Sequence, residues 1–149
     1  LFHALPIEID HLAIPRDLAK LLWTEGDGEQ ALKLLDSLPP EAQAEPDIAH
    51  LHAHLNLAET ARQAPPLSEI DSRLTQQPGD LDAHYQRAAQ LLAADDFAGA
   101  MQALLFIACT DRGYRHDIGR TSLLALFDLL GSAHPLTQQY RRALSESLH

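Results

Sequence analysis

His50, His52 and His54 are the residues of this chain best spaced to do chemistry. In a helix, His50 and His54 share a face one turn apart. Two imidazoles at that spacing hold a metal when a third ligand converges on them. The sequence supplies no His-Glu-x-x-His and no acidic residue at ligand spacing. A solvated or groove-lining pair is therefore the expectation, with no metal and no cofactor. Cys109 has Asp111, His116 and Asp117 close by in sequence. A thiol nucleophile needs a base within hydrogen-bond reach and an oxyanion site. Cys109 instead continues the apolar run Leu104–Ala108, so it is expected to be buried as a small hydrophobe, and no catalytic residue is expected anywhere. Arg141-Arg142 can meet an acidic partner, but near the end of a last helix such a pair more simply complements the helix dipole. Gly26-Asp27-Gly28 lacks the Lys-Ser/Thr and the preceding strand of a phosphate loop, and Gly119-Arg120 reads as a helix start.

The elements that must position these residues are helical. Pro78–Ile107 sets the pattern. Ala83, Arg87, Ala88, Leu91 and Leu92 recur at helical spacing, Asp95-Asp96-Phe97 makes a short break, and Ala100, Ala103, Leu104 and Ile107 share the next face. Pro78 cannot continue an upstream helix, and Asp80 can cap the new one. Ala88 and Ala100 are small enough to let two paired helices approach closely. Shifted by 69 residues, the same layout returns between Leu18 and Leu38: Ala19 matches Ala88, Ala31 matches Ala100, Leu35 matches Leu104 and Leu38 matches Ile107. A middle unit then places its small residue at Ala53, although Pro65 stands where its second crossing residue belongs. Two helices in about 34 residues is the tetratricopeptide period. The expected fold is all-α, a right-handed tetratricopeptide-like superhelix of about four helix pairs. Residues 1–11 read as a linker or the tail of a truncated upstream repeat, and residues 12–149 as the repeat domain.

Composition agrees. The apolar fraction of 46% is mostly Ala and Leu and aromatics are 5%, which favours helix. A net charge of −10 argues against nucleic acid or an anionic membrane as the main partner. One cysteine and no signal peptide suggest a reducing, cytoplasmic setting. The opening at Leu1 without Met suggests a piece of a longer protein.

The last section carries a narrower resemblance. Asp117-x-Gly119-Arg120, then LLALFDLLG, then Pro135-Leu136 and Tyr140-Arg141-Arg142 resemble the C-terminal end of the thioredoxin-like co-chaperedoxin family. SLPPEAQ at 37–43 and the APPLSEID and QQPGDLDA segments resemble it too. The resemblance implies a client-binding region of a chaperone that holds unfolding proteins and works with the chaperonin, preceded by a thioredoxin-like domain. The chain itself has no Cys-x-x-Cys and no βαβ pattern. An alternative is the substrate-recruiting arm of a thiol-disulfide oxidoreductase whose catalytic domain lies elsewhere.

On either reading the expected activity is protein binding. In tetratricopeptide repeats the ligand-facing positions of each first helix lie around the small crossing residue. Carried over, they give a groove of Arg16, Lys20 and Trp23, then His50, His54 and Leu57, then Tyr85, Ala89 and Leu92. The final helix carries Leu136, Tyr140, Leu144 and Leu148 on one stripe and Arg141 and Arg142 on the other face, the pattern of a docking or capping helix.

Overall fold

The computed structural model describes residues 13–147. Among them the chain forms nine helices: α1 (Ala13–Thr24), α2 (Gly28–Asp36), α3 (Pro40–Gln43), α4 (Pro46–Gln63), α5 (Leu67–Gln76), α6 (Leu81–Ala93), α7 (Phe97–Thr110), α8 (Ile118–Leu130) and α9 (Pro135–Ser147). The all-α stack of helix pairs expected from the period is what forms. The short α3 was not expected; Pro40 sits at its first position, where a missing N–H does no harm. The expected linker at residues 1–11 and the capping contact of Leu148 lie outside the described residues.

The repeat by 69 residues is reproduced atom for atom at the turns. Gly26 and Asp95 both take left-handed backbone, with φ of 88° and 62°. Asp27 N–H donates to Leu22 O at 2.8 Å, and Asp96 N–H donates to Leu91 O at the same distance. Asp27 and Asp96 then cap the following helices, accepting from Gln30 N–H and Gly99 N–H. An aspartate at this position satisfies a backbone donor that the helix start leaves orphaned. The crossing residues Ala19, Ala31, Ala53, Ala88 and Ala100 are all fully buried.

The middle unit departs from the pattern. Pro65-Pro66 ends α4, and α5 packs on α6. Arg87 donates to Asp71, while Arg73 donates to Asp80 and Gln86, so α5 is tied to α6 by charge. The carbonyls at the end of α4 are satisfied from α6: Gln90 Nε2 donates to Ala61, Ala64 and Pro65.

Two apolar clusters result. One joins α1 and α2 to one side of α4 through Ala19, Ala31, Leu35, Ile48 and Leu55. The larger joins the other side of α4, through Ala53 and Leu57, to α6, α7, α8 and α9. Thus α4 is apolar on two sides because it lies between two cores. The helix α8 packs against both α7 and α4.

Asp80 is the best-defined cap. Its Oδ1 accepts from Ala83 N–H at 3.2 Å and its Oδ2 from Arg73 at 3.0 Å. Arg73 first, and the Ala83 N–H next, hold its carboxyl below the usual range. Asp80→Ala is expected to lower stability by about 1 kcal/mol. A depressed carboxyl contributes fully above the ordinary aspartate range, about pH 4, and its contribution is lost as pH falls through the lowered folded value. Urea midpoints of the two proteins should therefore differ at pH 7 and converge in strong acid.

Candidate protein-binding surface

The groove positions expected from the repeat pattern are largely engaged within the chain. Arg16 donates to Asp47 at 3.2 Å, which ties α1 to the start of α4. The Trp23 ring meets the His54 ring edge to face, with centroids 5.1 Å apart. Burial lowers the pKa of His54, so this imidazole is held neutral as a packing group. His50 Nδ1 bonds to the Asp128 carboxylate of α8. Leu57, Tyr85 and Ala89 are each 1% exposed and belong to the large cluster. Leu92 is half-buried against the same cluster. The physical reason is packing within that cluster: α8 lies on α4 and contributes Leu123, Leu126 and Phe127, while α6 lies on α4 and α7, so these positions are enclosed between helices. Leu57, Tyr85 and Ala89 thus offer no surface here. Lys20 and Trp23 remain accessible on α1.

His52 is held at both ring nitrogens, with Nε2 2.6 Å from Asp36 Oδ1 and Nδ1 2.9 Å from Asn56 Nδ2. The three histidines of α4 therefore face Asp128, Asp36 and Trp23 respectively. Among the described residues no three His, Cys, Asp or Glu side chains converge on a common metal position.

Beside them lies a cleft of about 710 Å³ between α4 and the start of α8, with Tyr85 of α6 in its wall. The segment entering α8 is unusual. Arg115, His116 and Asp117 all have positive φ, of 46°, 56° and 63°. Side chains other than glycine rarely adopt this backbone, and a run of three is sustained only by strong surroundings. Those surroundings are visible. Tyr114 O–H donates to Asp82, and the Arg115 guanidinium lies 5.0 Å from the Tyr85 ring centroid and 5.6 Å from that of Tyr114. Burial pushes the Tyr85 hydroxyl up to about 12, against the opposing pull of the Arg115 charge. That hydroxyl lies beside Thr60 but closes no hydrogen bond.

The final helix behaves as a cap. Tyr140 and Leu144 are buried in the large cluster, Leu136 packs on it, and Arg141 and Arg142 are exposed. Arg141 also covers the Phe127 ring at 5.4 Å, and Tyr140 O–H donates to Ala98 O at 3.3 Å.

Comparison with known families decides the assignment. A family model described as tetratricopeptide repeat matches residues 60–149, more than half of the chain, and a second with the same description matches residues 4–55. This chain belongs to the tetratricopeptide repeat family. No curated protein and no solved structure matches it. Tetratricopeptide repeats stack supersecondary units into extended binding surfaces, and this chain is a protein-interaction module of that kind. No helix among the described residues is long and apolar enough to cross a membrane.

One expectation is corrected. Cys109 is exposed. On α7 the buried residues are Ala100, Met101, Ala103, Leu104, Ile107 and Ala108, so Phe106 and Cys109 point away from the core. Phe106 is held on that outer side by stacking on His84 of α6, with centroids 4.1 Å apart. Two features of this tetratricopeptide protein escaped the sequence. One is the exposed apolar side of α1, where Ile14, Leu18 and Leu21 are 76%, 44% and 53% exposed. Their spacing of one turn and two turns was a usable signal. The other is the presence of Arg115, His116 and Arg120 together in the wall of the cleft. Only the density of basic side chains between positions 112 and 120 hinted at it.

Proposed function

We propose that this tetratricopeptide module is the client-binding part of a thioredoxin-like chaperone, holding exposed apolar segments of unfolding proteins and cooperating with the chaperonin. The observation that carries this reading is the stripe on α1. Ile14, Leu18 and Leu21 lie one and two turns apart on one face of the helix, all exposed. Apolar side chains gathered on one helix face mark interaction surfaces, whereas scattered ones do not. An aliphatic stripe without a charged anchor suits many apolar sequences rather than one motif. The motif resemblance in the SLPPEAQ segment and from Asp117 onward supports the chaperone context.

The test is a triple variant, Ile14→Ser, Leu18→Ser and Leu21→Ser, assayed by light scattering of a heat-denatured client enzyme. These are surface positions, so stability should change by no more than about 0.5 kcal/mol at each. Suppression of aggregation should be largely lost at an unchanged melting midpoint. Full suppression by the variant would sink the α1 assignment. Direct binding to purified chaperonin, measured by surface plasmon resonance, checks the second half of the reading, and no response would remove it.

A further inference from the structure

The stripe of Ile14, Leu18 and Leu21 leaves a continuous aliphatic face of α1 uncovered. Among the described residues, the other exposed large apolar side chains are engaged or single. Trp23 meets His54, Phe106 stacks on His84, and Leu129 is one position on α8. Fully covering a large aliphatic side chain is favourable, so the stripe carries a standing drive to be covered. Its size limits what can cover it. Three aliphatic side chains fall well short of the roughly 1,200 Å² that a stable interface between separate chains buries. A segment of the same chain needs no such area, because a short tether holds it at a millimolar effective concentration.

Such a segment precedes α1. Residues 1–12 read LFHALPIEIDHL. Leu5, Ile7 and Ile9 alternate with Pro6, Glu8 and Asp10. In an extended chain that alternation gives one apolar edge and one polar edge. Pro6 favours the extended form, since its ring fixes φ and restricts Leu5 before it to the same region. The spacings agree. At about 3.3 Å per residue, Leu5 and Ile9 stand about 13 Å apart in an extended segment. At about 1.5 Å per residue, Ile14 and Leu21 stand about 10 Å apart along α1. A reversal at Asp10, His11 and Leu12, with Asp10 as the turn former, sets Ile9 near Ile14, Ile7 near Leu18 and Leu5 near Leu21. Glu8 then faces water.

We propose that residues 5–9 of this chain fold back along the α1 stripe and cover it until a client displaces them. The displacement rests on the client-holding reading above; the contact itself does not. The test is disulfide trapping in the full chain, with Cys109→Ser as background. Ile7→Cys combined with Leu18→Cys should close a bridge within one molecule under mild oxidation. Two control pairs share one of its thiols. Ile7→Cys with Leu129→Cys moves the helix thiol to α8, and Glu8→Cys with Leu18→Cys moves the segment thiol to its polar edge. Both should close about tenfold more slowly or worse, since a bridge needs Cα atoms within about 7 Å. A second measurement uses the dye anilinonaphthalene sulfonate. The variant Leu5→Ser, Ile7→Ser, Ile9→Ser should enhance its fluorescence several-fold at an unchanged helical signal. Adding Ile14→Ser, Leu18→Ser and Leu21→Ser should abolish that gain. An excess of a permanently unfolded, reduced and carboxymethylated protein should slow closure of the Ile7→Cys/Leu18→Cys pair. If that pair closes fast but the unfolded protein leaves its rate unchanged, the contact stands and the client-holding reading falls. Bridges between molecules, closure no faster than in the controls, or no gain in dye fluorescence would each overturn the contact.

Discussion

Phe127→Ala should lower the unfolding free energy by about 3–5 kcal/mol, the range for truncating a fully buried aromatic. Phe127 is 2% exposed on α8, inside the cluster that joins α4, α6, α7, α8 and α9. Truncation removes the ring's transfer free energy and leaves a hole that five helices cannot close at once. It also strips the face under the Arg141 guanidinium, which lies 5.4 Å from the ring centroid. For a chain of about this size each kcal/mol shifts the melting point by roughly 2–4 °C. Thermal unfolding followed by circular dichroism should thus fall by ten degrees or so, which is about three times the per-kcal shift. A fall of only one or two degrees would mean that α8 is not seated on α4 and α7 as described.

Gly119→Ala should be the most damaging single-methyl change in the chain. A Cβ at Gly119 would lie 2.9 Å from Ala108 N, 3.0 Å from Leu104 O and 3.1 Å from Ile107 Cγ2. Two of these three are backbone atoms of α7, and a helix backbone cannot swing aside as a side-chain tip does. The first turn of α8 must retreat, and overpacking of this kind costs about 1–3 kcal/mol. Gly79→Ala is the matched control. Nothing lies within 4 Å of its Cβ position, so that variant should be neutral or slightly stabilised through its unfolded state. Urea titration of the two variants separates the outcomes, and equal midpoints would remove the close approach of α8 to α7.

The sequence made the outer units legible for a physical reason. Gly26 and Asp95 must both take positive φ, and Asp27 and Asp96 must both cap, so the turns write themselves into residue type. The crossing alanines do the same through their size. What escaped is what local pattern does not encode. Leu57, Tyr85 and Ala89 fit the ligand-facing positions of their own helices, and packing between elements far apart in sequence buries them, α6 on α4 and α7 and above all α8 on α4. That contact spans the whole intervening pair, as the bond between His50 and Asp128 illustrates. Cys109 was misjudged because an apolar run from Leu104 fills every face of a helix, and periodicity cannot then say which face looks outward.

The seat of α8 on α4 also bears on how the chain comes apart. In an ordinary repeat array each unit touches only its neighbours, so ends fray and the middle can persist without them. Here a contact skips over α5, α6 and α7 and fastens the fourth helix to the eighth. The array from α4 onward is closed like a hasp, and those helices should be lost together in one step. Such a closure raises the sequence separation of the contacts that must form, which slows folding relative to an open stack. The helices α1, α2 and α3 lie outside the closure, and α1 and α2, held to one side of α4 by the smaller cluster, can open on their own. The exposed stripe of Ile14, Leu18 and Leu21 sits on that outer unit, where yielding to fit an irregular partner disturbs the rest least.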